Sequence, residues 1–115
     1  MNVRRVQNPF DVTGWTSEIE LVEYTVDAFA PDTSVDICDT DPRRLWIIAA
    51  TEPATGGFVM WPRRQTAEYG IAPITGQTHV LVHNASYPSL VQGGWWFRCA
   101  LAGITVHVII GRDMN

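Results

Sequence analysis

Lysine is absent from this chain, and charged side chains of both signs are scarce. Only 17% of the residues are charged, against roughly 25% in an average soluble domain. The 12 acidic residues outnumber the 8 arginines, so the net charge is -4. Because sequence-independent binding to nucleic acid needs a basic face, this balance disfavours a nucleic-acid partner. A weakly charged surface instead suggests that partner molecules cover part of it.

Cysteines and long apolar runs are also few. Cys38 and Cys99 are too few for a disulfide framework, so we expect two free thiols, with a single bridge as the alternative. The longest apolar stretch, residues 99–110, is about 12 residues long, whereas a membrane-spanning helix needs about 20. Arg4 and Arg5 lead into polar residues, so we expect no secretory signal. These features predict a soluble protein without a membrane partner.

The 115 residues suffice for one ordinary domain preceded by a short arm. Residues 1–17 are polar, contain the breakers Pro9 and Gly14, and follow no sustained period, which predicts a partly extended N-terminal arm. Phe10 and Trp15 are unusual in a solvated tail, so we expect this arm to dock on a surface. Residues 18–115 are predicted to form a single β-domain.

Apolar residues in the domain follow the period of β-strands. In the first strand the alternation changes phase at Leu21 and Val22, where we predict a β-bulge. Residues 44–50 are apolar on both faces, which predicts a central strand, and residues 58–61 would be its hairpin partner. Further short strands are predicted at residues 35–37, 69–74, 78–84, 95–101 and 104–110.

No segment supports a helix longer than a single turn at residues 65–69. Seven to eight short strands, separated by glycine and proline turns, are the pattern of an all-β antiparallel sandwich. We therefore predict a β-sandwich with a jelly-roll-like arrangement.

Residues that could carry chemistry form no recognisable catalytic or ligand-binding pattern. His79 and His83 would lie about 13 Å apart along one strand, too far to share a metal ion. No nucleophile-elbow motif surrounds Ser86, and Gly56-Gly57 lacks the helix and lysine of a phosphate-binding loop. We predict no enzymatic activity, no metal site and no cofactor, and keep a small β-sandwich hydrolase only as a third hypothesis.

Tryptophan and paired arginines are the most informative residues. The chain has 5 tryptophans, of which Trp46 is expected in the core, while the adjacent Trp95 and Trp96 must point to opposite faces of a strand. Tryptophan beside arginine is typical of protein interfaces. Two alternatives remain open: all the tryptophans are buried, and the arginines reflect the codon usage of a GC-rich genome. The candidate interface residues are Phe10, Trp15, Arg43, Arg44, Trp61, Arg63, Arg64, Trp95 and Trp96.

Several segments together resemble a known class of protein. These are DPRRLWII at residues 41–48 followed by Gly57, YGI at 69–71, GWWF at 94–97 and ITV at 104–106. They are similar to the recurring strands of small β-sandwich virion proteins of tailed bacteriophages, which serve as head decoration (cement) or as head, tail or fibre accessory subunits. The likeness extends from Asp41 to Ile110 and carries over no catalytic residue.

The resemblance implies a structural role. We expect a capsid decoration subunit on the particle surface, assembled in the host cytoplasm, that binds the major capsid protein or another virion protein. It would be a homo-oligomer, with a trimer favoured. The alternative is a receptor- or carbohydrate-binding module of a tail or fibre, in which Trp61, Trp95 and Trp96 stack on sugar rings.

Overall fold

The structure, a computed structural model, describes residues 1–9, 18–83 and 90–114. Within these residues two antiparallel sheets pack face to face, which confirms the predicted all-β sandwich. Single 3-10 turns occupy Ala67–Tyr69 and Leu90–Gln92. The strands are β1 (Asn2–Gln7), β2 (Glu18–Ala28), β3 (Val35–Cys38), β4 (Arg44–Glu52), β5 (Phe58–Pro62), β6 (His79–His83), β7 (Trp95–Cys99) and β8 (Ile104–Arg112).

The larger sheet has the order β1-β2-β8-β4-β6 and the smaller sheet the order β3-β7-β5. From β2 onward, consecutive strands alternate between the two sheets. The predicted hairpin between residues 44–50 and 58–61 is therefore wrong, since β4 pairs with β6 and β8, whereas β5 pairs with β7. Residues 53–57 are long enough to cross the roughly 10 Å between packed sheets, so the two strands need not be neighbours.

The core fills the space between the sheets with apolar side chains of alternating residues. β8 shows this pattern as predicted, because Ile104, Val106, Val108 and Ile110 are all buried on its inner face. Tyr24 spans the two sheets, as its hydroxyl donates a hydrogen bond to the carbonyl of Ile37 at 2.5 Å. The largest fully buried side chains contributed by the smaller sheet are those of Ile37, Met60, Trp95 and Phe97.

A second apolar cluster lies on the outer face of the larger sheet. It consists of Ile19, Leu21 and Trp46, with Val6 packed against it. This cluster explains why Leu21 and its neighbour in sequence are both buried: β2 is covered on each face. The predicted β-bulge at Leu21-Val22 is wrong, because the register between β2 and β8 runs without a shift.

Trp46 is buried as predicted, but in this outer cluster rather than between the sheets. Its indole lies directly against Gly111, where an added Cβ would come within 2.2 Å of Trp46 Cε2. Its Nε1–H donates to Asn8 Oδ1 at 3.2 Å. The indole therefore ties the segment after β1 to the centre of the larger sheet.

Part of the predicted N-terminal arm belongs to the sandwich. Residues 2–7 form β1, which pairs with β2 at the edge of the larger sheet. Phe10 and Trp15 lie outside the described residues. Cys38 and Cys99 are buried free thiols, which confirms the prediction for both.

Candidate interaction surface

The outward-facing side of the smaller sheet carries a row of aromatic and charged side chains. The pairing of β3 with β7 places Asp36 opposite Trp96, and the pairing of β7 with β5 places Trp96 opposite Trp61. We call Asp36, Trp96 and Trp61 the aromatic row. Trp95 points the other way, into the core, as expected for adjacent residues of a strand.

Arg63 covers one end of the aromatic row. Its guanidinium Cζ lies 5.9 Å from the ring centroid of Trp96, within the distance of a cation–π contact. The same guanidinium donates to Asp36 and, at 2.8 Å, to Asp39. Hydrogen bonds to Asp39 and Asp36 raise the pKa of Arg63, so this side chain stays charged at any physiological pH. Arg63 is therefore held in one orientation over the indole.

Gly94 makes this orientation possible. The main-chain N–H of Arg63 donates to the carbonyl of Gly94 at 3.0 Å, and the arginine side chain then passes directly over that glycine. A Cβ at position 94 would lie 2.6 Å from Arg63 Nε, closer than real side chains approach. Any larger residue at this position would push the guanidinium away from Trp96.

Arg98 repeats the arrangement at the other indole. Its Cζ lies 5.6 Å from the ring centroid of Trp61, whose side chain is only 7% exposed. Trp96 is half-buried and Arg98 is also partly exposed. The surface thus presents two guanidinium groups stacked on two indoles, with Trp96 the more accessible ring.

A cleft of about 320 Å³ lies beside this surface. Its wall is formed by Pro42, Pro62, Arg63, Arg64 and Leu90. Arg64 is exposed and has no hydrogen-bond or ion-pair partner among the described residues. The cleft therefore has a largely apolar wall, and the guanidinium of Arg64 lies at its rim without an ion-pair partner among the described residues.

Three of the predicted interface residues are buried, namely Trp61, Trp95 and Arg44. Trp95 is 0% exposed, and its Nε1–H donates to the carbonyl of Leu90 at 3.1 Å. Arg44 is 2% exposed, although alternation along β4 predicts an outward side chain at the strand end. The register of β4 with β8 shifts between Arg44 and Trp46, and this shift turns Arg44 inward.

Arg44 serves as a structural anchor for two loops. Its NH1 donates to the carbonyls of Val91 at 3.0 Å and Gly93 at 2.8 Å, and its NH2 donates to that of Asp39 at 2.5 Å. Burial raises the pKa of the Cys38 thiol, and the nearby Arg44 charge partly offsets this effect. The Arg44 guanidinium thereby holds the loop after β3 against the segment before β7, and residues of both line the cleft.

Arg43, another predicted interface residue, belongs to a different network. Its NH2 donates to Glu20 at 3.1 Å, and its Nε donates to the carbonyl of Asp113 at 2.7 Å. Arg112 Nε donates to Asp41 at 2.5 Å. Burial alone would raise the pKa of Asp41, but hydrogen bonds from Arg112 and the Arg43 main chain lower it below its usual value.

Two members of the surface were not predicted from the sequence. Arg98 follows Trp96 by two positions, so strand alternation alone would have placed both on one face. Asp36 alternates with Val35 and Ile37 in the same way, but its partner in β7 becomes known only from the strand pairing. The sequence shows which residue types each strand carries, but it does not show which residues lie opposite each other in neighbouring strands.

The three histidines share the outer face of the larger sheet. His79 and His83 lie on β6, and His107 on β8 places its Nε2 2.7 Å from an oxygen of Glu52. Within the described residues no three histidine, cysteine or acidic side chains come close enough to hold a metal ion.

Comparisons of the chain with protein-family models, curated protein sequences and solved structures found no match. No helix in the described ranges is long and apolar enough to cross a membrane. Function must therefore be inferred from the residues of this chain.

Proposed function

We propose that this protein is a structural subunit of a bacteriophage particle, a decoration protein that binds the capsid lattice and self-associates. The binding surface is the outer face of the smaller sheet, centred on Trp96. Its partner is the major capsid protein or another virion protein.

The observation that carries this proposal is the pair of guanidinium–indole stacks. Tryptophan and arginine are the residues that contribute most to protein–protein binding energy when they are desolvated at the centre of an interface. Asp36 and Asp39 hold Arg63 in place before any partner arrives. A pre-oriented side chain loses less conformational entropy on binding, so this surface is suited to a lasting contact.

The strand order gives further support. Alternation of consecutive strands between two sheets is the wrapping of a jelly roll, and Ile71, bridged to Met60, takes the place of a fourth strand in the smaller sheet. Jelly rolls occur in viral capsid proteins and in lectins. The fold is thus compatible with the resemblance to virion proteins of tailed phages.

Co-sedimentation tests the proposal directly. Purified protein is mixed with particles of the virus that encodes it, stripped of this subunit, and pelleted at micromolar concentration. We expect the wild type to pellet with the particles, and Trp96→Ala to bind at least about tenfold more weakly, since a central tryptophan contributes 2 kcal/mol or more, as a rough guide.

Phe29→Ala is the matched control, because Phe29 is an exposed aromatic residue outside the aromatic row. It should bind as the wild type does. Circular dichroism and thermal melting verify that both variants are folded. A wild-type protein that stays in the supernatant would refute the proposal.

The second candidate is a carbohydrate- or receptor-binding module of a tail or fibre. Its expected stacking platform loses Trp95 and Trp61, which are only 0% and 7% exposed. Trp96 alone remains accessible, beside two carboxylates that could accept sugar hydroxyls. Binding on a glycan array that disappears in Trp96→Ala would favour this candidate over the decoration role.

A further inference from the structure

The cleft beside the aromatic row differs in charge from the molecule as a whole. Its lining includes two guanidinium groups, those of Arg63 and Arg64, and contains no aspartate or glutamate among the described residues. The whole chain, in contrast, has a net charge of -4. A depression lined by positive charge focuses its electrostatic field and attracts a negatively charged group.

The two guanidinium groups of the cleft are not equivalent. Arg63 is already shared by two carboxylates. Arg64 is exposed and has no hydrogen-bond or ion-pair partner among the described residues. Its backbone is nevertheless held in place, because the main-chain N–H of Gln65 donates to the carbonyl of Pro62 at 2.9 Å and closes a turn. The cleft thus has one guanidinium that can pair with a ligand.

The wall of the cleft is apolar and partly rigid. Pro42, Pro62 and Leu90 contribute apolar surface to it. Proline loses no side-chain entropy on burial, because its ring is already fixed. At about 320 Å³ the cleft is at the small end of the range of ligand pockets, roughly 300–1,000 Å³, and suits one or two side chains. Its ligand should therefore combine a small apolar group with a negative charge.

Hydrogen bonds hold the two segments on either side of the cleft together. The main-chain N–H of Asp41 donates to the carbonyl of Gln92 at 2.8 Å, and Gln92 Nε2 donates to the carbonyl of Pro42 at 3.0 Å. The buried Arg44 joins the same segments through three carbonyls. A site that is already formed before its ligand arrives loses less conformational entropy on binding.

We propose that the cleft binds an acidic side chain, together with the apolar side chain next to it, on a surface segment of a partner protein. The apolar side chain packs against Pro42, Pro62 and Leu90, and the carboxylate accepts hydrogen bonds from Arg64. A guanidinium can donate two parallel hydrogen bonds to one carboxylate, and such charge-assisted pairs are stronger than neutral ones. This inference rests on the proposed function for the identity of the partner, a virion protein, but not for the chemistry of the cleft.

A protein segment fits these features better than a nucleic acid or a free anion does. Nucleic-acid binding needs a basic face that neutralises several phosphates, whereas Arg64 is the only charged residue of the described lining without a carboxylate partner. A free phosphate would leave the apolar wall uncovered. Arg63 borders both the cleft and Trp96, so one partner segment can contact the cleft and the aromatic row together.

Titration of the whole chain with a capped dipeptide tests the chemistry of the cleft. The probe is a dipeptide of leucine and aspartate with both ends blocked, and the matched ligand has asparagine in place of aspartate. Amide NMR spectra should show saturable shifts for Gly93 and Gly94 at millimolar probe, and none for Gly103, beyond the opposite end of β7. We expect the asparagine dipeptide to bind at least about threefold more weakly, the effect of one exposed ion pair.

Arg64→Met removes the charge and keeps most of the length of the side chain. This variant should bind the aspartate and asparagine dipeptides equally. Arg5→Met is the matched control, because Arg5 is exposed on β1 of the larger sheet and also has no partner among the described residues. It loses the same charge and should keep the preference for aspartate. Circular dichroism verifies that both variants are folded.

The co-sedimentation assay extends the test to the particle. We expect Arg64→Met to bind the particles at least about threefold more weakly than the wild type, and Arg5→Met to bind them as the wild type does. The affinity of the wild type should also fall as the salt concentration rises, because salt screens an exposed ion pair.

Equal binding of the two dipeptides to the wild type, or no saturable shift at Gly93 and Gly94, would overturn the inference. Inorganic phosphate that shifts the same amides as strongly as the aspartate dipeptide would do so too, because the apolar wall would then have no part in recognition. Unchanged particle binding by Arg64→Met would also overturn it and leave the decoration role in place. A wild type that binds the probe but not the particles would instead remove the decoration role and leave the chemistry of the cleft standing.

Discussion

At the scale of single residues, Arg44 illustrates how a buried charge can be retained without an acidic partner. Three loop carbonyls accept hydrogen bonds from its guanidinium, and the side chain is almost completely excluded from solvent. Removing one partner from such a buried set leaves the others unsatisfied, which costs roughly 1–3 kcal/mol for each polar group.

We expect Arg44→Met to lower the free energy of unfolding by about 3 kcal/mol or more, because the carbonyls of Asp39, Val91 and Gly93 lose their donor. Urea denaturation followed by circular dichroism measures the loss. Arg64→Met, at an exposed arginine without a partner in the described residues, is the control and should change stability by less than about 0.5 kcal/mol. Equal losses in both variants would contradict the anchoring role.

The direction of Arg44 could not be read from the sequence. The apolar run after it correctly predicts a central strand, but alternation alone puts Arg44 and Trp46 on one face. A shift in register between these residues separates them, and such shifts depend on which strand lies alongside. The sequence showed the types of the surface residues but not their contacts: the position of Arg63 over Trp96, and its pairing with Asp36 and Asp39, depend on the strand order.

At the scale of elements, the centre of the larger sheet depends on one close contact. β8 passes behind the Trp46 indole at Gly111, where no side chain fits. The indole cannot move aside, because the surrounding cluster buries it.

Gly111→Ala is expected to destabilise the protein by about 1–3 kcal/mol, the usual cost of inserting a methyl group into a packed core. Thermal unfolding monitored by tryptophan fluorescence measures the effect. At Gly93 the nearest atom to an added Cβ is 3.5 Å away, an ordinary contact, so Gly93→Ala serves as the control. A Gly111→Ala variant as stable as this control would show that the indole is free to shift.

Strand alternation predicted β8 correctly but misled at β2, where side chains on both faces are buried. β8 follows strict alternation, and its buried positions are those predicted. In β2, the adjacent apolar residues Leu21 and Val22 suggested a β-bulge, but the register has no shift there. Both side chains are buried because the outer cluster covers the face of β2 that points away from the smaller sheet. The alternation of polar and apolar residues indicates which side chains are buried, but it does not indicate which part of the protein buries them.

At the scale of the whole molecule, an ionic network joins distant parts of the chain. Glu20 on β2, Asp41 and Arg43 in the turn before β4, and Arg112 at the end of β8 meet at one end of the sandwich. These ion pairs link the strands in addition to their backbone hydrogen bonds. Asp41 is the least exposed carboxylate of the network.

This network should make stability depend on pH. The pKa of Asp41 is lower in the folded protein than in the unfolded chain, so the folded state binds a proton at the Asp41 carboxylate less readily. Its contribution is complete above the unfolded value of about 3.9 and is lost as pH falls through the folded pKa.

We expect Asp41→Asn to be roughly 1 kcal/mol less stable than the wild type at pH 7, and the difference to narrow as pH falls below about 4. Urea titrations at neutral and acidic pH measure the difference. Asp27→Asn, at an exposed residue of β2, should show no such pH-dependent gap. A gap that stays constant into acid would mean that the carboxylate charge contributes nothing.

The fold class could be predicted because it depends on period and turn spacing, which are local. The pairing of strands could not, because alternation between sheets makes neighbours of residues far apart in sequence. For the same reason the outer faces of the two sheets, with their different chemistry, emerged only from the structure.

The position of β8 has a consequence for how the protein is made. β8 lies between β2 and β4 in the larger sheet, yet β4 ends at Glu52 and β8 begins only at Ile104. Until residues 104–112 have been synthesised, the nascent polypeptide has a gap at the middle of that sheet and two exposed apolar strands beside it. The larger sheet can therefore be completed only after this late strand has been synthesised.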